Sequence, residues 1–371
     1  MRIMLAPSAF HPSRGGVEEL TLQLAKDYQH RGHDVTVVVN QHPADLPASD
    51  VVEAVQVRRL PFALPGFNPR RLVRYPSYLR SLLGQLDQLG PVPDVVHVQC
   101  ASSQVVPLAL WSARRQVPLI VTTQGEVTMD AGRVYQQSAQ MRMSLRFGSR
   151  RASVLTACSR RAADDAAGVA QSFQGCRVIP NGVDPTQWKV TPLPAQPTYA
   201  AWGRHVPQKG LDLLIQAFSL VRKQLPCAVL RIGGDGPELE RLKALAGPGV
   251  EFLGTLDRAA VQALMDRSRV AIVPSRLEPF GIVAVEAMAC GRGVVWSTNG
   301  GLEDATAGLG WGVDPRDPQA LAKAMVQAYE NPVDPAAARA HAESLSWQHI
   351  GDQYLDIYKT TRWRAPSEQR S

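Results

Sequence analysis

No apolar run in this chain approaches the ~20 residues needed to cross a bilayer; stretches such as Val105–Trp111 stop well short. The start, Met1–Ala6, reads as a strand and lacks the apolar core and cleavage site of a signal peptide. Cysteine is scarce: five residues, an odd number, with no C-x-x-C pair. That excludes a disulfide framework and points to a reduced, cytoplasmic setting. The first βα turn carries no G-x-G-x-x-G, which excludes the dinucleotide fingerprint of a dehydrogenase. No His/Cys cluster has metal spacing and no acid-x-acid pair follows a strand, so a reaction without metal or cofactor is predicted. Basic residues do not interleave with aromatics in a nucleic-acid motif, which argues against a polynucleotide partner. There is no tandem repeat at solenoid spacing.

What is present is a globular composition, 45% hydrophobic and 20% charged, over 371 residues, enough for two domains. Short Val/Ile/Leu strands alternate with helical patterns from the first residue: strand Arg2–Ala6, helix Glu18–Arg31, strand Val35–Asn40, then strands Asp94–Gln99, Leu119–Thr123 and Ser153–Cys158. Such runs, apolar on both faces, belong to parallel sheets covered by helices. The stretch Asp184–Thr198 holds four prolines and little periodicity and reads as a linker. Alternation restarts at Tyr199–Gly203. In Leu211–Leu225 the residues Leu211, Leu214, Ile215, Phe218, Val221 and Leu225 repeat at helical spacing. The predicted layout is a first domain over 1–184, a linker over 185–198, a second doubly wound domain over 199–346, and a terminal helix and tail over 347–371 that crosses the hinge.

The sharpest local signal is E-P-F-G-I-V-A-V-E, Glu278 to Glu286. A strand at Val270–Pro274 should put Glu278 in the loop at its carboxyl end and start a helix near Phe280–Gly281. The unbonded N–H groups of Gly281, Ile282 and Val283 would then lie between two acids, a ready site for phosphate. Glu286, on an otherwise apolar helix face, needs a hydrogen-bonding partner if buried, and a ribose diol supplies two donors. A loop acid, a phosphate cradle and an inner acid match a sugar–diphosphate–ribose ligand part by part. In G-R-H-V-P-Q-K-G, Arg204 leaves a strand end and Lys209 enters the next helix, so two cations can stand where a metal would neutralise a departing diphosphate. Gly15–Gly16 before the first helix permits close backbone approach. His97, in D-V-V-H-V-Q, is predicted at a strand end toward a cleft; a histidine packed in the core is the competing reading.

These segments together resemble a retaining glycosyltransferase of the GT-B fold, similar to glycosyltransferase family 4. The resemblance spans S-R-G-G-V-E-E-L, I-P-N-G-V-D, G-R-H-V-P-Q-K-G-L-D-L-L-I-Q-A-F, I-G-G-D-G-P-E, E-P-F-G-I-V-A-V-E-A-M-A-C-G and N-G-G-L-E-D. It implies an α/β architecture of two Rossmann-like doubly wound domains facing a cleft. It also implies roles: Arg204 and Lys209 on the donor diphosphate, Glu286 on the ribose, and Glu278 with the Phe280–Gly281 backbone on the transferred sugar. Gly16, beside Gly15, would close on the donor; Leu253–Gly254 would meet the base through main chain; His97 would serve catalysis. The chain departs from the resemblance at Gln99 and Gln124, where histidine is common. Glutamine bonds a hydroxyl but carries no proton charge. The implied reaction moves a hexose-type sugar from a UDP- or GDP-sugar to a glycan or lipid-linked acceptor with retention, in surface polysaccharide or glycolipid assembly.

Two other classes share parts of the pattern. A GT-B nucleotide-sugar epimerase would consume donor without acceptor, and a phosphorylase would need pyridoxal phosphate on a lysine. A non-catalytic donor-binding scaffold would keep the pocket alone. The basic excess lies in the first half, with 20 Lys and Arg against 14 Asp and Glu in residues 1–185. Within it, Arg58–Arg80 interleaves six arginines with Leu60, Phe62, Leu64, Phe67, Leu72, Tyr75 and Tyr78. This predicts peripheral contact with the anionic inner face of the membrane.

Overall fold

The computed structural model describes residues 1–13, 15–130 and 132–363. Arg14 of the S-R-G-G stretch and the tail from 364 onward lie outside the described residues. The chain divides into two compact units, one formed by Met1–Ile179 together with the segment from Trp347, the other by Pro180–Ser346.

The first unit opens with β1 (Arg2–Pro7), α1 (Gly16–His30) and β2 (Asp34–Asn40), followed by a hairpin of β3 (Ser49–Val52) and β4 (Val55–Leu60). Then come α2 (Pro69–Asp87), β5 (Val95–Gln99), α3 (Val105–Arg115), β6 (Leu119–Thr123), α4 (Val134–Gln137) and α5 (Ala139–Ser149). β7 (Val154–Ala157), α6 (Arg160–Val169) and β8 (Arg177–Val178) complete its sheet. The strand order is β3-β4-β2-β1-β5-β6-β7-β8, parallel except for β3 against β4. β5 and β6 are buried at every residue, as the continuous apolar runs required.

The second unit carries β9 (Thr198–Trp202), α7 (Leu211–Gln224), β10 (Val229–Gly233), α8 (Leu239–Leu245), β11 (Val250–Phe252) and α9 (Arg258–Asp266). It continues with β12 (Val270–Val273), α10 (Ile282–Ala289), β13 (Gly293–Ser297), α11 (Leu302–Thr306), β14 (Trp311–Val313), α12 (Pro318–Glu330) and α13 (Pro335–Ser344). Its sheet runs β11-β10-β9-β12-β13-β14, wholly parallel. Leu214, Ile215, Phe218 and Val221 of α7 are buried against it, the stripe that the helical spacing predicted. Burial of each such side chain is worth about 1.5–3 kcal/mol.

The proline-rich stretch from Asp184 behaves differently from a free linker. Arg292, fully buried, donates to Thr191 O at 2.7 Å and Thr191 Oγ1 at 2.6 Å, and to the carbonyls of Met265, Ser268 and Cys290. Arg339 holds Trp188 O at 2.8 Å. The stretch is therefore laid down on the second unit, and the division falls before Pro180 rather than after 184. Sequence could not reveal this, because prolines mark the absence of regular structure and not the absence of packing.

The terminal helix α14 (Trp347–Thr360) belongs to the first unit, against α1. Tyr28 and Tyr358 meet edge to face at 5.9 Å, and Arg31 pairs with Asp352. Gly351 allows the approach: a Cβ there would lie 2.4 Å from an Asp27 carboxylate oxygen.

Candidate functional site

In the second sheet the strand order reverses between β9 and β12, so the loops leaving these two strands diverge and open a crevice at their carboxyl ends. Of the donor-side residues singled out from sequence, those in the second unit, except Leu253, leave one of these two strands, while Gly15 and Gly16 lie in the first unit. After β9 come Trp202, Gly203, Arg204 and, entering α7, Lys209. After β12 come Ser275, Glu278 and the start of α10. Trp202, Lys209, Ser275 and Val283 line one hollow there.

Lys209 Nζ lies 2.7 Å from Glu278 Oε2, and Ser275 Oγ donates to the same oxygen at 2.9 Å. Glu278 is nearly buried while Lys209 remains one-third exposed, so the pair is screened on its lysine side. Glu278 is anchored by main chain as well. Gly301 N donates to Glu278 O at 2.7 Å, and Glu278 pairs with Gly300 in an isolated parallel bridge. This is the task of the N-G-G segment: it fixes the acid's backbone.

Gly281 caps α10 with φ 95°, and a Cβ there would lie 2.3 Å from Leu302 Cδ2. Only glycine suits that turn. No side chain caps α10, so the first N–H groups of the helix point out of its end without an intrahelical acceptor. Phe280 is 2% exposed: its ring belongs to the core, and only its backbone is placed for a ligand. Glu286 lies one turn into α10, half-buried, and accepts a long 3.4 Å hydrogen bond from Trp202 Nε1. The expectation of a buried acid is thus corrected to a half-buried one whose partner is an indole on the neighbouring strand.

Arg204 is exposed, and its side chain has no partner among the described residues. Its neighbours are fixed. A Cβ on Gly234 would fall 1.9 Å from Gly203 O, and His205 N donates to Asp235 O at 2.7 Å. The G-G-D-G-P-E turn therefore clasps the G-R-H turn and holds the base of the arginine. Leu253 is 41% exposed, but its N–H donates to Ile232 O at 2.9 Å, which leaves only its carbonyl for a base.

In the first unit the structure corrects the reading of His97. It sits in mid-strand, fully buried, with Nδ1 2.6 Å from Tyr358 Oη and Nε2 2.6 Å from Thr122 Oγ1. Burial drives its pKa down to about 3. A neutral ring locked between two hydroxyls anchors α14; it is not a catalytic group. Register explains the difference: His97 pairs with Leu5 inside β1–β5, two residues short of the strand end.

Gly15 and Gly16 are exposed at the start of α1. Gln99 is fully buried, accepting from Thr21 Oγ1 at 3.3 Å. Gln124, also buried, donates its backbone N–H to Glu126 Oε2 at 2.6 Å. Sequence reasoning passed over Glu126. Its carboxylate also accepts from Ala101 N at 2.9 Å and Thr123 Oγ1 at 3.0 Å, joining the loops after β5 and β6, and burial raises its pKa. Trp202 and Ser275 were missed as well. Their positions, at the end of β9 and three residues before Glu278, were the available signal. Among the described residues no group of three or more His, Cys, Asp and Glu is arranged to hold a metal ion.

Two family models match the chain: "Glycosyltransferase Family 4" over residues 14–187 and "Glycosyl transferases group 1" over residues 196–331. A phosphatidyl-myo-inositol mannosyltransferase of Mycobacterium tuberculosis is 30% identical over 382 residues, covering 97% of each chain. A glycogen synthase of the same species is 33% identical over 201 residues, 49% of this chain; the match spans 47% of that enzyme, about half its length. Among solved structures, Anabaena HepE in complex with UDP and glucose superposes with a TM-score of 0.73 at 20% identity, covering 97% of this chain and 100% of the other, a likeness of fold. The chain belongs to glycosyltransferase family 4.

Proposed function

We propose that this family 4 member transfers a hexose-type sugar from a UDP- or GDP-sugar to a glycan or lipid-linked acceptor, with retention at the anomeric carbon and without a metal ion. The observation that carries the reading is the Lys209–Glu278 pair at the open end of α10, with Glu286 one turn further in. Arg204, Lys209 and the α10 N–H groups would take the diphosphate; Glu278, steadied by Ser275, would take hydroxyls of the sugar; Glu286 would take the ribose.

On this reading the glycosidic carbon parts from the diphosphate oxygen as the acceptor oxygen bonds to it. The acceptor proton passes to the departing phosphate. Two cations and a helix end stabilise the charge that develops there, the kind of preorganised stabilisation worth roughly 2.7–4 kcal/mol per donor group. No side-chain base is then required, which agrees with a neutral His97 sealed in the core. A lipid acceptor is supported by the name of the mannosyltransferase relative; work at the inner face of the membrane, in glycolipid or surface polysaccharide assembly, is part of the same proposal.

The test is turnover of UDP- and GDP-hexoses with lipid and glycan acceptors in the presence of EDTA, with the product anomer read by NMR. Retained configuration and EDTA resistance support the proposal. Inversion, or loss of activity restored by divalent cations, contradicts it.

A further inference from the structure

The predicted basic segment Arg58–Arg80 does not survive as one surface. Arg59 is 2% exposed and spent inside the unit, on Asp50 Oδ2 at 3.0 Å, Pro47 O at 3.2 Å and His11 O at 2.9 Å. Arg58 reaches Ser49, and Leu60 and Phe62 are core residues. What remains is the first half of α2 and the turn before it, where residues 67–74 are all exposed.

That segment is unusual in three respects. Its apolar side chains face solvent: Phe67 is 71% exposed, Val73 80% and Leu72 45%, and no residue of the helix before the half-buried Tyr75 is even partly buried. Its charge has one sign: no acid occurs between Glu53 and Asp87, and Arg70, Arg71, Arg74 and Arg80 have no side-chain partner among the described residues. Finally, Arg70 and Arg71 occupy the first turn of α2, just after the Asn68 cap, where the helix's own field disfavours cations. Exposed apolar area and unpaired cations at a positive helix end are both unfavourable in water, and an anionic, apolar-cored surface relieves both.

The helix geometry sorts these residues. Leu82 and Leu86 face the core, and the opposite side presents Arg70, with Val73 and Arg74 three and four residues on, and Arg80 two turns beyond Val73. The neighbouring α5 extends the patch. Gln140 Nε2 donates to Gly66 O at 2.5 Å, tying α5 to the turn that holds Phe67, and Met143, three residues along, is 61% exposed.

We propose that the first half of α2, with Phe67 and Met143 at its edge, docks this protein onto an anionic phospholipid surface, the apolar side chains entering the headgroup boundary and the arginines pairing with lipid phosphates. A soluble polyanion would use the arginines but leave the apolar tips in water. Binding is read without turnover, so it stands or falls separately from the transfer reaction.

The experiment is sedimentation of the full chain with phosphatidylcholine vesicles, and with phosphatidylcholine–phosphatidylglycerol vesicles, at low and physiological salt. Two variants accompany it: Arg70→Gln/Arg71→Gln/Arg74→Gln and Phe67→Ser/Val73→Ser. All five positions are exposed, so both variants should melt with the wild type. The expected result is binding to the anionic vesicles alone, weakened about 100-fold in the arginine variant at roughly fivefold per charge. The apolar variant should lose tenfold or more. Absence of binding at low salt, equal binding to neutral vesicles, or an arginine-only dependence with the apolar variant unaffected overturns the proposal; the last would mark a soluble polyanion site instead.

Discussion

The ammonium of Lys209 and the carboxylate of Glu278 stand 2.7 Å apart, brought from loops on two neighbouring strands. On the proposed reading a diphosphate entering at α10 would compete with Glu278 for that lysine, and the Ser275 hydroxyl, already bonded to the carboxylate, would keep it partnered. The pair presets both groups at little cost, since Lys209 is one-third exposed and its charge is partly screened.

Replacing Lys209 should therefore affect chemistry more than stability. Lys209→Ala is expected to lower kcat/KM by about 10²–10³ if the lysine stabilises the leaving diphosphate. The melting temperature should move little, because Glu278 retains its serine and main-chain bonds. Steady-state kinetics beside thermal melts decide this; a large drop in melting temperature with unchanged turnover would assign the pair to structure alone.

Gly281→Ala should destabilise the second unit. The φ of 95° alone costs a side-chain-bearing residue about 1–2 kcal/mol, and the new Cβ meets Leu302 at 2.3 Å. Adding Leu302→Ala removes the overlap but not the dihedral strain. Denaturant melts of the two single variants and the double variant should show a double loss smaller than the sum of the singles. Strict additivity would mean that Leu302 simply moves aside.

His97 should govern a pH effect on stability and none on rate. Its pKa is about 3 in the fold against 6.5 as the ordinary value, so the unfolded chain binds the extra proton first as pH falls. The contribution is complete above pH 6.5 and is lost as pH falls toward 3, at up to about 1.4 kcal/mol per unit. His97→Gln should flatten that acid limb and cost about 1–3 kcal/mol through one orphaned hydroxyl. The pH–rate profile between 6 and 8 should keep its shape. A new or missing kinetic pKa in the variant would return His97 to catalysis.

Arg59→Ala separates the buried arginine from its exposed neighbours. Its three partners are internal, so stability should fall by about 1.5–3 kcal/mol. Vesicle binding should match the wild type. Weaker vesicle binding at unchanged stability would contradict this placement.

The parallel sheets, and the meeting of Lys209 with Glu278 at the start of α10, were legible because they rest on local signals. Val/Ile/Leu runs identify strands buried on both faces, and E-P-F-G-I-V-A-V-E carries loop, turn and helix within nine residues. What escaped was set by distance along the chain. His97 reads alike whether it faces a cleft or Tyr358, 261 residues away. Arg59 reads like its neighbours until Asp50 and the His11 carbonyl close around it. The helix α2 was hidden by Pro69, Pro76 and its exposed apolar residues, which blur the periodicity that identifies a helix packed along its whole length. Glu126 gave no pattern at all, since its partners come from loops after two different strands.

One crevice is proposed to bind phosphate through Lys209 and ribose through Glu286. Calorimetric titration of the wild type, Lys209→Ala and Glu286→Gln with UDP, GDP and inorganic pyrophosphate tests it most directly. The expected result is that one nucleotide binds the wild type, that the lysine variant loses both nucleotide and pyrophosphate, and that the glutamine variant loses nucleotide while keeping pyrophosphate. Nucleotide affinity that is the same in all three proteins would contradict it.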